Sequence, residues 1–354
     1  MRRVRRPSAG GAAARAAGVT PRRRIWSELL PLEVVRAPGT LALLRRYALE
    51  LSIAVRPETA AGLPDLAAAC ADAGVAVAVW PMIADEDGRW ASAGNAAAFG
   101  AFVARLLDAL DARRLTAAEV VFDLEPPIEA VRRALAGGRG ALDLLGGGPR
   151  GARGSPRWSD SQRVYAELAG AVHARGVATS AAIVPLVLTD GRDGPACGWE
   201  RLLGTPVSAP PWGRVGAMLY TSLFEGYSRG ALGREDAVTL LAWGCRAAAR
   251  RFGPRAGASL GAVGKGALGD EPVYRSVAEL REDVAAAVAA GVSDLSLFDL
   301  GGVLARPPAE AWLDAFVAPP ELRSPRETLR ARGVIVAAAL VGRAAGCARR
   351  LTSP

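Results

Sequence analysis

Histidine and lysine are nearly missing from this chain: His173 and Lys265 are the only ones among 354 residues. A single histidine excludes every His-rich metal centre and leaves a Ser-His-Asp triad without support. His173 itself falls inside a helical stretch, Ser159–Arg175, away from strand ends, where a surface or helix-packing role is expected. The four cysteines, Cys70, Cys197, Cys245 and Cys347, are far apart and form no C-x-x-C pair. That excludes a disulfide framework and a zinc ribbon. Apolar runs stay short of the roughly 18 residues that a membrane helix needs, so a soluble protein without an integral membrane segment is expected.

Arginine is abundant, but its distribution matters more than its number. Residues 1–24 carry eight Arg and no acid, and residues 321–354 carry seven Arg and two Glu. The formal charge of +9 therefore belongs to the two ends, and residues 25–320 are mildly acidic. Nucleic-acid binding wants a basic face on the folded body, so no nucleic-acid partner is expected. Residues 1–24 begin like an export signal, yet Arg15 interrupts an Ala/Gly centre and Arg22–Arg24 follow it. We expect a disordered basic arm and a cytoplasmic protein, with export by an atypical N-terminus left open. In the 321–354 extension, the ten-residue apolar run Gly333–Gly342 predicts a short helix docked on the body or lying at a membrane surface.

Between the ends, short apolar runs alternate with longer Ala/Leu/Arg stretches of helical period, the signature of repeated βα units. Strands are predicted at Ile25–Val35, Leu49–Val55, Val75–Ile83, Glu119–Leu124, Ala178–Leu188, Val215–Ser222, Ala258–Val263 and Asp294–Leu300. Helices fill the intervals, with a last one at Pro308–Phe316. The Gly/Arg-rich segment Gly137–Pro156 is predicted to be a mobile loop. Eight strands within residues 25–320 predict a single (β/α)8 TIM barrel, with chemistry at the C-terminal ends of its strands. The first strand carries the weakest pattern, so a seven-stranded or doubly wound sheet is the alternative. We expect a monomer.

The fourth strand ends in Val121-Phe122-Asp123-Leu124-Glu125-Pro126-Pro127. Strand alternation places Val121, Asp123 and Glu125 on one face and turns Phe122 and Leu124 towards the helices. Two adjacent acids at a barrel mouth repel unless they share a proton or a ligand. One of such a pair has a raised pKa, as a general acid requires near neutral pH. The competing reading is a carboxylate bound to loop N–H groups or a nearby Arg. On the sixth strand, Met218, Tyr220 and Ser222 share a face, and the phenol of Tyr220 either hydrogen-bonds a substrate carbonyl or sugar hydroxyl or caps the core with its OH in water.

The pair Asp123/Glu125 on strand four and the pair Met218/Tyr220 on strand six resemble the family 18 glycoside hydrolases, the chitinase-like (β/α)8 enzymes. Their strand-four signature is D-x-x-D-x-D-x-E and their strand-six signature is M-x-Y-D. The resemblance spans the body as architecture and four residues as motif. It implies that Glu125 protonates the glycosidic oxygen while the acetamido carbonyl of the substrate attacks the anomeric carbon. By the same resemblance Asp123 orients the acetamido group and Tyr220 hydrogen-bonds its carbonyl. Ala118 and Val121 stand where the family has its first two aspartates, and Thr221 where it has Asp after Tyr. Phe298-Asp299 occupies the strand-eight position of the family's tryptophan.

Trp80, Met218, Ser222 and Asp299 complete the candidate substrate-binding set, with Glu125, Asp123 and Tyr220 as the catalytic set. Trp80 either stacks on a sugar or pins a loop; Trp158, Trp199, Trp212, Phe224 and Tyr227 are expected to pin loops. Lys265, in Gly261-Ala262-Val263-Gly264-Lys265-Gly266, has the position of a Schiff-base lysine but sits between loop glycines. The same glycines lack the hydroxyl of a phosphate-binding loop. Three functions remain open: a hydrolase of a polysaccharide or oligosaccharide, N-acetylated if the resemblance holds; a non-catalytic carbohydrate-binding barrel; and a Mg²⁺ enzyme using Asp123, Glu125, Asp85 and Asp299. The first two need no cofactor and no metal.

Overall fold

The computed structural model describes residues 22–137, 158–190, 198–322 and 325–350. Most of the N-terminal arm and nearly all of the Gly/Arg-rich loop lie outside these residues. Eight parallel strands, each hydrogen-bonded to the next and the last to the first, close a barrel. They are β1 (Arg23–Ser27), β2 (Glu50–Val55), β3 (Val77–Pro81), β4 (Glu119–Leu124), β5 (Ala178–Ile183), β6 (Arg214–Met218), β7 (Ala256–Gly261) and β8 (Asp294–Phe298). Closure removes the doubly wound alternative.

Parallel strands buried on both faces need apolar side chains outward and compact ones inward. The sequence meets this demand strand by strand. Leu51 and Ile53 of β2, Phe122 and Leu124 of β4, and Leu295 and Leu297 of β8 join the core between barrel and helices. Ser52, Ala78, Ser180, Gly216, Gly257 and Ser296 alternate with those outward-facing positions. Such small interior residues leave room for large ones nearer the mouth. There Trp26, Trp80, Met82, Val121 and Phe298 form a second, separate cluster.

At the opposite end the barrel is closed by charge. Glu119 of β4 is wholly buried and ion-paired with Arg22, Arg24 and Arg214, and Asp294 of β8 takes Arg24 and Arg214 as well. Arg23 and Arg24, counted with the arm from sequence, thus belong to β1. That strand stops at Ser27 rather than running on to Val35, because Pro31 precedes a short helix, Leu32–Val35. Strand six also stops early, at Met218. Tyr220 follows it as the N-cap of the helix Thr221–Tyr227, where the Thr221 hydroxyl donates to buried Asp283.

The C-terminal helix, Leu329–Arg350, is 22 residues long and extends well beyond the ten-residue run seen in sequence. It docks on the body where Trp199 Nε1 donates to the Ala338 carbonyl at 2.8 Å. Gly198 and Gly342 meet at this crossing, and a Cβ on Gly198 would lie 1.9 Å from the Gly342 oxygen. Among the described residues no helix is long and apolar enough to cross a membrane.

Candidate active site

β4 delivers Asp123 into the barrel mouth. Trp80 on β3 donates its Nε1–H to Asp123 Oδ2 at 3.2 Å. Asp123 Oδ1 is buried and has no donor. The Glu125 carboxyl lies close enough to hydrogen-bond Asp123 once either acid is protonated. Burial pushes Asp123 up to about 7, opposed by the bonds from Trp80 and Glu125. Burial and the charges of Asp123 and Glu28 hold Glu125 well above the usual carboxylate range. The pair therefore carries at least one proton near neutral pH and titrates as a unit.

Glu28 is an acid the sequence pattern concealed. It follows β1 directly, and burial with the charges of Asp123 and Glu271 raises it to about 8 against the pull of Arg89. Its Oε2 accepts from Ala267 N at 3.1 Å, and its Oε1 lies 3.5 Å from Arg89 Nη1. Glu271, in the loop after β7, accepts from Leu268 N through Oε1 and keeps Oε2 buried without a partner. Gly266 lets that loop reach the acids, since a Cβ there would fall 2.6 Å from Glu28 Oε2 and 3.1 Å from Glu271 Oε1. Pro31 was the available signal that β1 ends near Glu28. Nothing periodic marks Glu271.

Tyr220 is held by Ser259 of β7, whose Oγ lies 3.0 Å from the phenol oxygen and also accepts from Trp26 Nε1 at 2.9 Å. Burial and the charges of Asp123, Glu125 and Glu28 push the phenol well above its ordinary value, so it stays a neutral donor. Trp26 meets Trp80 edge-on at 4.7 Å, and Tyr220 lies 5.6 Å from Phe298. Trp90 joins this wall with its Nε1–H buried and unpartnered. These side chains line one cavity of about 490 Å³, which holds Asp123, Glu125, Tyr220, Trp80 and Met218.

Two of the predicted binding residues are placed elsewhere. Ser222 lies in the helix Thr221–Tyr227, not on β6, and its Oγ accepts from Ala262 N at 2.7 Å. Asp299 caps the helix Leu300–Ala305 by accepting from Gly302 N at 2.9 Å. Asp85 accepts from Arg89 Nε at 2.8 Å. The four acids of the Mg²⁺ reading are thus not gathered, and among the described residues no group of three His, Cys, Asp or Glu could hold a metal ion. Lys265 is exposed, which denies its amine the desolvation a Schiff-base lysine needs. Trp212 is a buried pin of its own loop, donating to the Val207 carbonyl. Trp199, in the helix Gly198–Leu203, instead holds the C-terminal helix, and Phe224 and Tyr227 line the cavity. His173 Nε2 lies 2.8 Å from Thr179 Oγ1 beneath its helix.

No protein-family model and no curated protein sequence matches the chain. Solved structures do. The glycoside hydrolase domain of PgaB (BpsB) from Bordetella bronchiseptica superposes with a TM-score of 0.51 at 13% identity, covering 85% of this chain and 100% of that one. A GH5-4 broad-specificity endoglucanase from an uncultured bacterium gives 0.50 at 11% identity, over 80% and 85%. Both are glycoside hydrolases. At such identities the likeness establishes the (β/α)8 fold, and the chemistry must come from the site.

Proposed function

We propose that the chain is a glycoside hydrolase acting on an N-acetylated sugar, with Glu125 as the proton donor and Asp123 as its assistant. The observation that carries this reading is the adjacency of the Asp123 and Glu125 carboxyls in the wall of an aromatic-lined cavity, where burial and mutual repulsion favour retention of a proton. An acid with its proton retained near pH 7 suits transfer to a glycosidic oxygen. Trp26, Trp80, Trp90 and Phe298 offer flat apolar surfaces to a sugar ring.

In this mechanism the Glu125 proton passes to the glycosidic oxygen as the acetamido carbonyl oxygen bonds to the anomeric carbon and the bond to the leaving group breaks. Asp123 Oδ1, which has no other partner, accepts the acetamido N–H. Tyr220 donates to the acetamido carbonyl. Water then bonds to the anomeric carbon as the bond from that carbon to the acetamido oxygen breaks, which restores the acetamide, and the proton lost by the water returns to Glu125. Two displacements retain the anomeric configuration.

Proton NMR of the first products from an N-acetylglucosamine oligomer, or from the 4-nitrophenyl β-glycoside, tests this directly. The expected result is the β-anomer, with no cleavage of the matching glucosamine compounds. Release of the α-anomer, or equal rates without the acetyl group, would remove substrate assistance. Binding of the oligomer with no turnover under any condition would favour a carbohydrate-binding barrel.

A further inference from the structure

The cavity changes chemistry along its length. On the barrel side it is walled by Glu28, Asp123, Glu125, Glu271 and the indoles. Beyond Tyr220 it continues between the β5 and β6 loops and the C-terminal helix, where Leu186, Phe224, Leu232, Trp243 and Ile335 form its walls. The hydroxyls on that side already have acceptors: Thr189 donates to the Leu186 carbonyl, Ser228 to the Glu225 carbonyl and Tyr227 to Asp270. A second sugar seated there would meet only the Trp243 indole N–H and the spare lone pairs of those hydroxyls, too few for its own hydroxyls, and each one buried unpaired costs free energy. An alkyl chain has no hydrogen bonds to forfeit and gains the burial of every methylene. Val334, which is 41% exposed, stands in the same wall, so the arm reaches solvent beside an apolar stretch of the helix.

We infer that the outer arm of the cavity takes an apolar aglycone, so that the substrate is a single N-acetylated sugar joined to a hydrocarbon chain rather than a stretch of polysaccharide. The inference rests on the hydrolase reading above and specifies what leaves when the bond breaks. The C-terminal helix, which contributes Val334, Ile335 and Ala338, becomes part of the binding site.

Calorimetric titration of the Glu125→Gln protein with methyl, butyl and octyl N-acetyl-β-glucosaminides tests it without turnover. Affinity should rise about fourfold for each methylene over the first several carbons. Phe224→Gln and Ala338→Phe, on different helices and each checked by circular dichroism, should flatten that rise. Equal affinity for all three glycosides, or a greater gain from an N-acetylglucosamine dimer than from the octyl glycoside, would overturn the inference. Chain-length dependence with no hydrolysis by the wild type would uphold the apolar arm and remove the hydrolase. Hydrolysis without chain-length dependence would do the reverse.

Discussion

Glu28 and Asp123 are acids kept out of water, with half-buried Glu125 beside them, and that has a thermodynamic consequence. An acid whose pKa is raised in the native state binds a proton there that the unfolded chain has released, so stability falls as pH rises between the two values. For Glu28 the window runs from its ordinary 4.5 to about 8. Glu28→Gln keeps an acceptor for Ala267 N and removes the titration. Relative to wild type, the melting temperature of the variant should climb as pH goes from 5 to 8, the free-energy gap widening by about 1.4 kcal/mol per unit within the window. A gap that does not change with pH would mean that Glu28 is ionised and well paired with Arg89. Asp123 and Glu125 were legible in the sequence because period-two alternation turns both inward at the end of a buried strand. Glu28 was not, since the apolar pattern ran past it to Val35 and hid where β1 ends.

At the scale of elements, the eight strands were legible because outward-facing apolar residues recur on each of them. Their C-terminal limits were less so. Thr221 continues the apolar run of β6, but its hydroxyl is tied to Asp283, and the chain turns helical there, which moves Ser222 off the strand face. The packing of the C-terminal helix was also not legible, because glycine pairing across 144 positions leaves no local trace. That crossing is sensitive to volume. Gly198→Val should force the helix Leu329–Arg350 off Trp199, at a cost of roughly 1–3 kcal/mol. Hydrogen exchange over residues 329–342 should rise sharply in the variant. Protection equal to wild type would show that the helix is held elsewhere.

For the molecule as a whole, the barrel has an ion-paired floor and an acidic mouth. The floor was hidden in sequence for a simple reason: Arg22–Arg24 look like the end of a basic arm until Glu119 and Asp294 are brought beneath them. Glu119→Gln would leave three guanidinium groups short of a buried countercharge, and removing one partner from such a network costs about 3–5 kcal/mol. Urea unfolding should register that loss; a change under 1 kcal/mol would mean that water solvates the floor.

The mouth is where the functional account stands or falls, and Glu125→Gln probes it with least disturbance. The variant keeps shape and removes the proton that has to move. Turnover of an N-acetyl-β-glucosaminide should fall by two to four orders of magnitude while the dissociation constant changes little, because the acid acts in the transition state. Turnover within tenfold of wild type would contradict the assignment of Glu125 as the acid.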